Sequence, residues 1–160
     1  MNRPTIEITD NAVSADELVR WQALVENHPN PPSHALYEAD VADSPLYQLA
    51  RDLVGGLPLI HCLLFAINKH NDQTELHVDH GEYVVLFYPR TNALGPLRTI
   101  QDGREVLVGV VGNRLVQMHC TNTWHQQVIP PDGSTRYSVA FKFRLPVEEI
   151  GEYPARPVGF

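Results

Sequence analysis

Taken as a string of apolar and polar positions, the chain changes its period part-way along. Before residue 57 the apolar residues recur three and four apart. Leu18, Trp21, Leu24 and Val25 make one stripe, and Leu46, Leu49, Ala50 and Leu53 make another. That spacing predicts two amphipathic helices. Ser14-Ala15-Asp16-Glu17 has capping-box spacing ahead of the first, which must end before Asn30-Pro31-Pro32. Ser44 and Pro45 open the second helix, and Gly55-Gly56 closes it. A short extended stretch at 5–9 precedes both.

From residue 57 onward, short apolar runs separated by turn residues take over. Segment 57–68 is a long apolar run that ends in the polar stretch 69–74. Extended segments are predicted around His77 and at 83–88, 97–100, 105–111, 114–120, 126–129 and 137–145. A loop is expected at 91–95 and a turn at Pro130-Pro131-Asp132-Gly133. Such a pattern predicts a sandwich, barrel or jelly roll, with the two helices covering a sheet. The expected organisation is one domain over 1–160. It comprises an N-terminal extension with covering helices at 1–56, a jelly-roll core at 57–145, and a tail at 146–160 that forms a strap or arm.

Composition narrows the partners. A formal charge of −7, with no visible Lys/Arg cluster, argues against nucleic acid and against an anionic membrane surface. A small-molecule or peptide substrate is expected instead. Cys62 and Cys120 lie in apolar runs and read as buried free thiols. No apolar run is long enough to span a bilayer, and Met1-Asn2-Arg3-Pro4-Thr5 lacks the apolar core of a signal peptide, so a cytoplasmic location is expected.

The candidate chemistry starts from two His-x-Asp pairs, His70-Asn71-Asp72 and His77-Val78-Asp79. The first sits among polar residues, as in a solvated turn. The second alternates with Leu76 and Val78, so its two polar side chains face one way and the apolar ones the other. His125, far downstream, would complete a set of two histidines and one carboxylate. That set suits non-haem Fe(II), because it leaves coordination positions open. On the last predicted strand Arg136 and Ser138 share one face, and Tyr137, Val139, Phe141 and Phe143 share the other. A guanidinium beside a hydroxyl is suited to hold a carboxylate, while the apolar face would pack against the helices.

Together these residues resemble the 2-oxoglutarate and Fe(II)-dependent oxygenases, over roughly 57–145. The resemblance implies a mainly β fold with N-terminal helices and a double-stranded β-helix core of the jelly-roll, cupin-like kind. It implies His77, Asp79 and His125 as ligands of Fe(II), and Arg136 and Ser138 as the grip on the far carboxylate of 2-oxoglutarate. Asn68 stands where many members place a cosubstrate-binding tyrosine. With O2 as the other cosubstrate, the implied reaction is hydroxylation of an unactivated C–H bond in a small metabolite, amino acid or peptide, and the Asp79 carboxylate speaks against halogenation. His125-Gln126-Gln127-Val128-Ile129-Pro130 is one residue longer than the family's His-x-Val-x-Pro run, for which a bulge is expected. Gly95-Pro96-Leu97 lies near the place of the customary Gly-Gly-Glu. His80, Tyr83, Arg90, Arg98 and Trp124 are the candidates for substrate contact, and His119 and Arg144 rank behind His125 and Arg136. Two other readings stay open: a non-catalytic jelly-roll module that binds a metal or a small acid, and a cupin-type metalloenzyme that does not use 2-oxoglutarate.

Overall fold

The structure is a computed structural model and describes residues 2–72 and 74–160. Met1, at the head of the amino-terminal stretch, and Gln73, within the polar stretch 69–74, lie outside the described residues. In chain order the elements are β1 (Ile6–Asp10), α1 (Ala15–Glu26), β2 (Ser33–Leu36), α2 (Glu38–Val41), α3 (Pro45–Leu53), β3 (Leu59–Ile67), β4 (Glu82–Tyr88), β5 (Asn92–Gln101), β6 (Arg104–Val110), β7 (Arg114–Met118), β8 (Trp124–Gln127), β9 (Arg136–Arg144) and α4 (Val147–Ile150). Two antiparallel sheets result. The major sheet has the order β1-β7-β4-β9-β3-β2, and the minor sheet β6-β5-β8. A single-residue bridge from His77 to His125 extends the minor sheet beyond β8. The chain thus passes back and forth between the sheets, which is the mainly β, double-stranded β-helix core that the sequence predicts.

The predicted helices form where their caps place them. Ser14 Oγ accepts from the Glu17 amide at 3.2 Å, which satisfies one of the free N–H groups at the start of α1. Glu17 does not reach back to complete a capping box. Its carboxylate instead caps the neighbouring helix, accepting from Ser44 Oγ and from the Leu46 amide, both at 2.8 Å. A buried carboxylate is tolerable here because it is hydrogen-bonded and sits at the positive end of α3.

The helices lie on the outer face of the major sheet. Trp21, Val25, Leu46, Tyr47 and Ala50 pack against Cys62, Leu64, Tyr83, Val85, Phe87, Val139, Phe141 and Phe143. Trp21 meets Phe141 edge-on at 5.7 Å. The alternate residues of the same strands point between the sheets. There Val84, Leu86, Tyr88, Met118 and Ala140 meet Leu97, Val108 and Val110 of the minor sheet. Both cysteines are free and buried, and burial raises the pKa of each thiol.

Several details differ from the sequence prediction. Residues 92–95 belong to β5 rather than to a loop; the register of β5 against β6 shifts between Asn92 and Leu97. The bulge expected after His125 is absent from the described pairing, since β8 runs in unbroken register with β5 from Trp124 to Gln127. β2, α2 and α4 are too short to leave a periodic signal. The tail beyond α4 crosses the outer face of the minor sheet. The Ala155 carbonyl accepts from Trp124 Nε1 at 3.1 Å, and Arg156 stacks on the Trp124 ring. No helix among the described residues is long and apolar enough to cross a membrane.

Candidate metal and anion site

The inter-sheet space opens at one end, where the His77 segment, β8 and β9 converge. His77, Asp79 and His125 place one ligand atom each within 4.8 Å of the others. His125 Nε2 lies 3.2 Å from Asp79 Oδ2, and His77 Nε2 lies 3.7 Å from Asp79 Oδ1. Neighbouring donors on one face of an ion with bonds of about 2.1 Å are separated by about 3 Å, so the donors must draw together to close on a metal.

Hydrogen bonding fixes which ring nitrogens face the centre. His77 Nδ1 bonds the Glu75 carbonyl at 2.7 Å, and His125 Nδ1 bonds the Thr123 carbonyl at 2.8 Å. A carbonyl only accepts, so each Nδ1 carries the hydrogen and each neutral ring presents the Nε2 lone pair to Asp79. Two lone pairs aimed at a carboxylate repel unless a proton or a cation lies between them. The donor set therefore fits a metal ion. Asp79 is prepared to stay ionised. Burial pushes its pKa up, but with no metal between them a proton on Nε2 of His125, hydrogen-bonded to the carboxylate, and the charges of Lys142 and of the protonated His125 and His77 rings prevail and bring it down to about 2.

The second feature lies on β9, in the facing major sheet. Arg136 is fully buried, at 0 % exposure. Its Nε donates to the Gly95 carbonyl at 2.6 Å, Nη1 to Gln127 Oε1 at 2.9 Å and to Ser138 Oγ at 3.5 Å, and Nη2 to the Tyr88 hydroxyl at 3.3 Å. Among the described residues no carboxylate pairs with it. Burial opposes its charge, and a buried guanidinium with only neutral partners is electrostatically suited to accept an anion. Gly95 is required here: a Cβ on it would come within 3.1 Å of Arg136 Cδ and 2.9 Å of the Val128 carbonyl.

A cavity of about 80 Å³ adjoins the metal-type donors and reaches Gln127, the partner of Arg136. His77, Asp79, His125, Gln127 and Lys142 supply its polar wall, and residues such as Phe65, Leu86 and Met118 its apolar wall. Gln127 and Lys142 of this wall, and Tyr88 beside Arg136, escaped sequence reasoning. Gln127 stands two residues past His125 and Lys142 six past Arg136, each on the inward face of its strand; period-two counting would have found both. Tyr88 follows Val84 and Leu86 by the same rule. Lys142 Nζ lies 3.6 Å from Asp79 and 3.4 Å from Glu82. Burial works against its charge, yet these two carboxylates raise its pKa above the ordinary value.

The other sequence candidates lie elsewhere. Asn68 shapes the turn after β3, accepting from the His70 amide and bonding Thr135, and does not line the cavity. His70 is exposed in that turn. Tyr83 points to the helix side, where its hydroxyl donates to the Pro4 carbonyl. Arg90 pairs with Glu26 of α1 at 2.6 Å. Arg98, Trp124 and His80 contact the tail at Phe160, Arg156 and Tyr153 respectively, and His80 stays exposed. Strand alternation turns Tyr83 away from the cavity, and Trp124 is directed outward because its neighbour His125 points inward. His119 stacks edge-on against Tyr83, and Arg144 is exposed at the end of β9.

With the geometry in hand, the fold can be compared with solved structures. A prolyl-4-hydroxylase from Pseudomonas putida is 17% identical, with 89% of this chain and 93% of that chain covered at a TM-score of 0.64. HygX from Streptomyces hygroscopicus, solved with nickel and 2-oxoglutarate bound, is 11% identical over 89% of this chain and 83% of its own, at 0.67. SnoK, a non-heme alpha ketoglutarate dependent carbocyclase from nogalamycin biosynthesis, is 13% identical over 88% and 79%, at 0.65. The chain has the double-stranded β-helix fold of these oxygenases. No protein-family model matches the sequence, and no curated protein is significantly similar to it.

Proposed function

We propose that the protein is an Fe(II)- and 2-oxoglutarate-dependent dioxygenase that hydroxylates an unactivated C–H bond of a small metabolite, amino acid or peptide. The observation that carries this reading is Arg136, a fully buried cation with no carboxylate partner among the described residues, on a strand of the sheet that faces three converging metal-type donors. A ligand that brings a metal-chelating end and a distant carboxylate answers both features at once.

In this reading His77, Asp79 and His125 hold the metal, and the two Nδ1 bonds to backbone carbonyls keep the rings oriented. Fe(II), 2-oxoglutarate and O2 together supply the oxidising chemistry. The chain supplies position and dryness. Arg136, with Ser138 and Tyr88 beside it, takes the far carboxylate, and Phe65, Leu86 and Met118 keep water from the inner wall. Lys142 steadies the Asp79 carboxylate from the major-sheet side. The neighbouring structures include a hydroxylase and a carbocyclase. Hydroxylation is proposed because it asks for one C–H bond, whereas ring closure asks for a second reacting group on the substrate.

The test is spectroscopic. Fe(II) and 2-oxoglutarate added anaerobically should give a visible metal-to-ligand charge-transfer band, and admitting oxygen should release succinate. Arg136→Ala and His77→Ala should each remove the band. A wild-type protein that gives no band sinks the reading, and a band without succinate points to a binding module.

A further inference from the structure

The buried guanidinium has a neutral stand-in for its missing anion, and it is Gln127. Arg136 has only donors, so the amide must turn Oε1 toward Nη1, where it sits at 2.9 Å. Gln127 lines the cavity, whereas Arg136, Ser138 and Tyr88 do not. The amide therefore stands between the space a ligand enters and the cation it must reach. No hydrogen bond from its Nε2 is made among the described residues, so the Arg136 contact is the one hydrogen bond of the side-chain amide there.

We infer that Gln127 is a specificity-determining residue for the anion that Arg136 binds. Resting on the reading above, the inference is that Gln127 Oε1 occupies an acceptor position on Arg136 in the empty protein and yields it to the far carboxylate of a dicarboxylic 2-oxo acid. A neutral amide oxygen is a weaker partner for a buried guanidinium than a carboxylate, so only a ligand bearing that second negative charge displaces it. A 2-oxo acid with one carboxylate can satisfy the metal end but brings nothing that replaces the amide. The pocket thus discriminates by charge at its closed end, through a residue whose loss leaves the metal donors intact.

The experiment uses the full chain loaded with Ni(II), which binds the same donors without turnover. Melting temperature of the metal-free protein, Ni(II) affinity and 2-oxoglutarate affinity are measured by thermal denaturation and calorimetry for wild type, Gln127→Glu and Gln127→Ala. Gln127→Glu gives Arg136 a permanent counter-ion. It should raise the melting temperature, weaken 2-oxoglutarate by about 100-fold or more, and keep Ni(II) affinity within about threefold. Gln127→Ala should lower the melting temperature and leave 2-oxoglutarate bound at least as tightly as in wild type. Pyruvate affinity should be the same in all three. Wild-type affinity for 2-oxoglutarate in Gln127→Glu overturns the inference alone, as does clearly weaker binding in Gln127→Ala or a lowered melting temperature in Gln127→Glu. A Ni(II)-loaded wild type that binds no 2-oxoglutarate overturns it together with the function on which it rests.

Discussion

The two faces of β9 are built to opposite rules. Tyr137, Val139, Phe141 and Phe143 face the helices in a close-packed apolar layer that includes Trp21 and Tyr47. Arg136, Ser138, Ala140 and Lys142 face the minor sheet, where a cation lies buried with neutral partners and an ammonium bridges two carboxylates. One side lowers the free energy of the folded chain. The other side raises it locally and so creates a place where ligands are welcome. The strand can carry both because successive side chains point in opposite directions and the helices hold it from behind.

The largest expected effect breaks the apolar face. Phe141→Ala removes the ring that meets both Trp21 and Tyr47, and should cost about 3–5 kcal/mol of stability in chemical denaturation. Next, Arg136→Met on the opposite face should reverse the pattern. Affinity for 2-oxoglutarate should fall about 100-fold, on the order of 2.8 kcal/mol, while stability changes by less than about 1 kcal/mol, because an uncompensated buried charge leaves with its hydrogen bonds. If Arg136→Met unfolded the protein as Phe141→Ala does, the contrast between the faces would be wrong.

A third measurement follows acid. Asp79 ionises at about 2 in the folded, metal-free protein, below its ordinary 3.8. The unfolded chain therefore binds the proton first, and Asp79 contributes stability above pH 4 that is lost as pH falls through 4 toward 2. Asp79→Asn should flatten the stability profile of the metal-free protein in that window relative to wild type; an unchanged profile would count against the pairing with His125 and Lys142. The smallest effect is expected at the surface. Arg90→Ala breaks an exposed pair with Glu26, and should shift stability by no more than about 0.5 kcal/mol with 2-oxoglutarate affinity intact.

Much of this contrast was legible before any coordinates. Alternation on β9 separated Arg136 and Ser138 from the phenylalanines, and the interleaving of Leu76 and Val78 singled out the His77–Asp79 pair over the pair at His70. Proximity in sequence did not translate into proximity in space. Tyr83, Trp124 and His80 lie within a few residues of the metal-type donors, yet Tyr83 projects to the helix side, Trp124 bonds the tail, and His80 is exposed against Tyr153. Asn68 was placed by its distance from His77, and the turn after β3 claims its side chain. Glu17 had the right spacing for its own helix and caps α3 instead.

The sequence by itself determined the order of the two long helices and of the main strands, which residues of a strand share a face, and the residue types that can hold a metal and a carboxylate. Those follow from local periodicity, since side chains on a strand alternate and those on a helix return every three to four residues. The tertiary structure decided which of the inward residues meet. It set the register that brings His77 against His125, delivered the carbonyls of Glu75 and Thr123 to the ring nitrogens, and turned Gln127 and Tyr88 toward Arg136. No local rule encodes such meetings, because they depend on how two sheets cross and on groups separated by tens of residues.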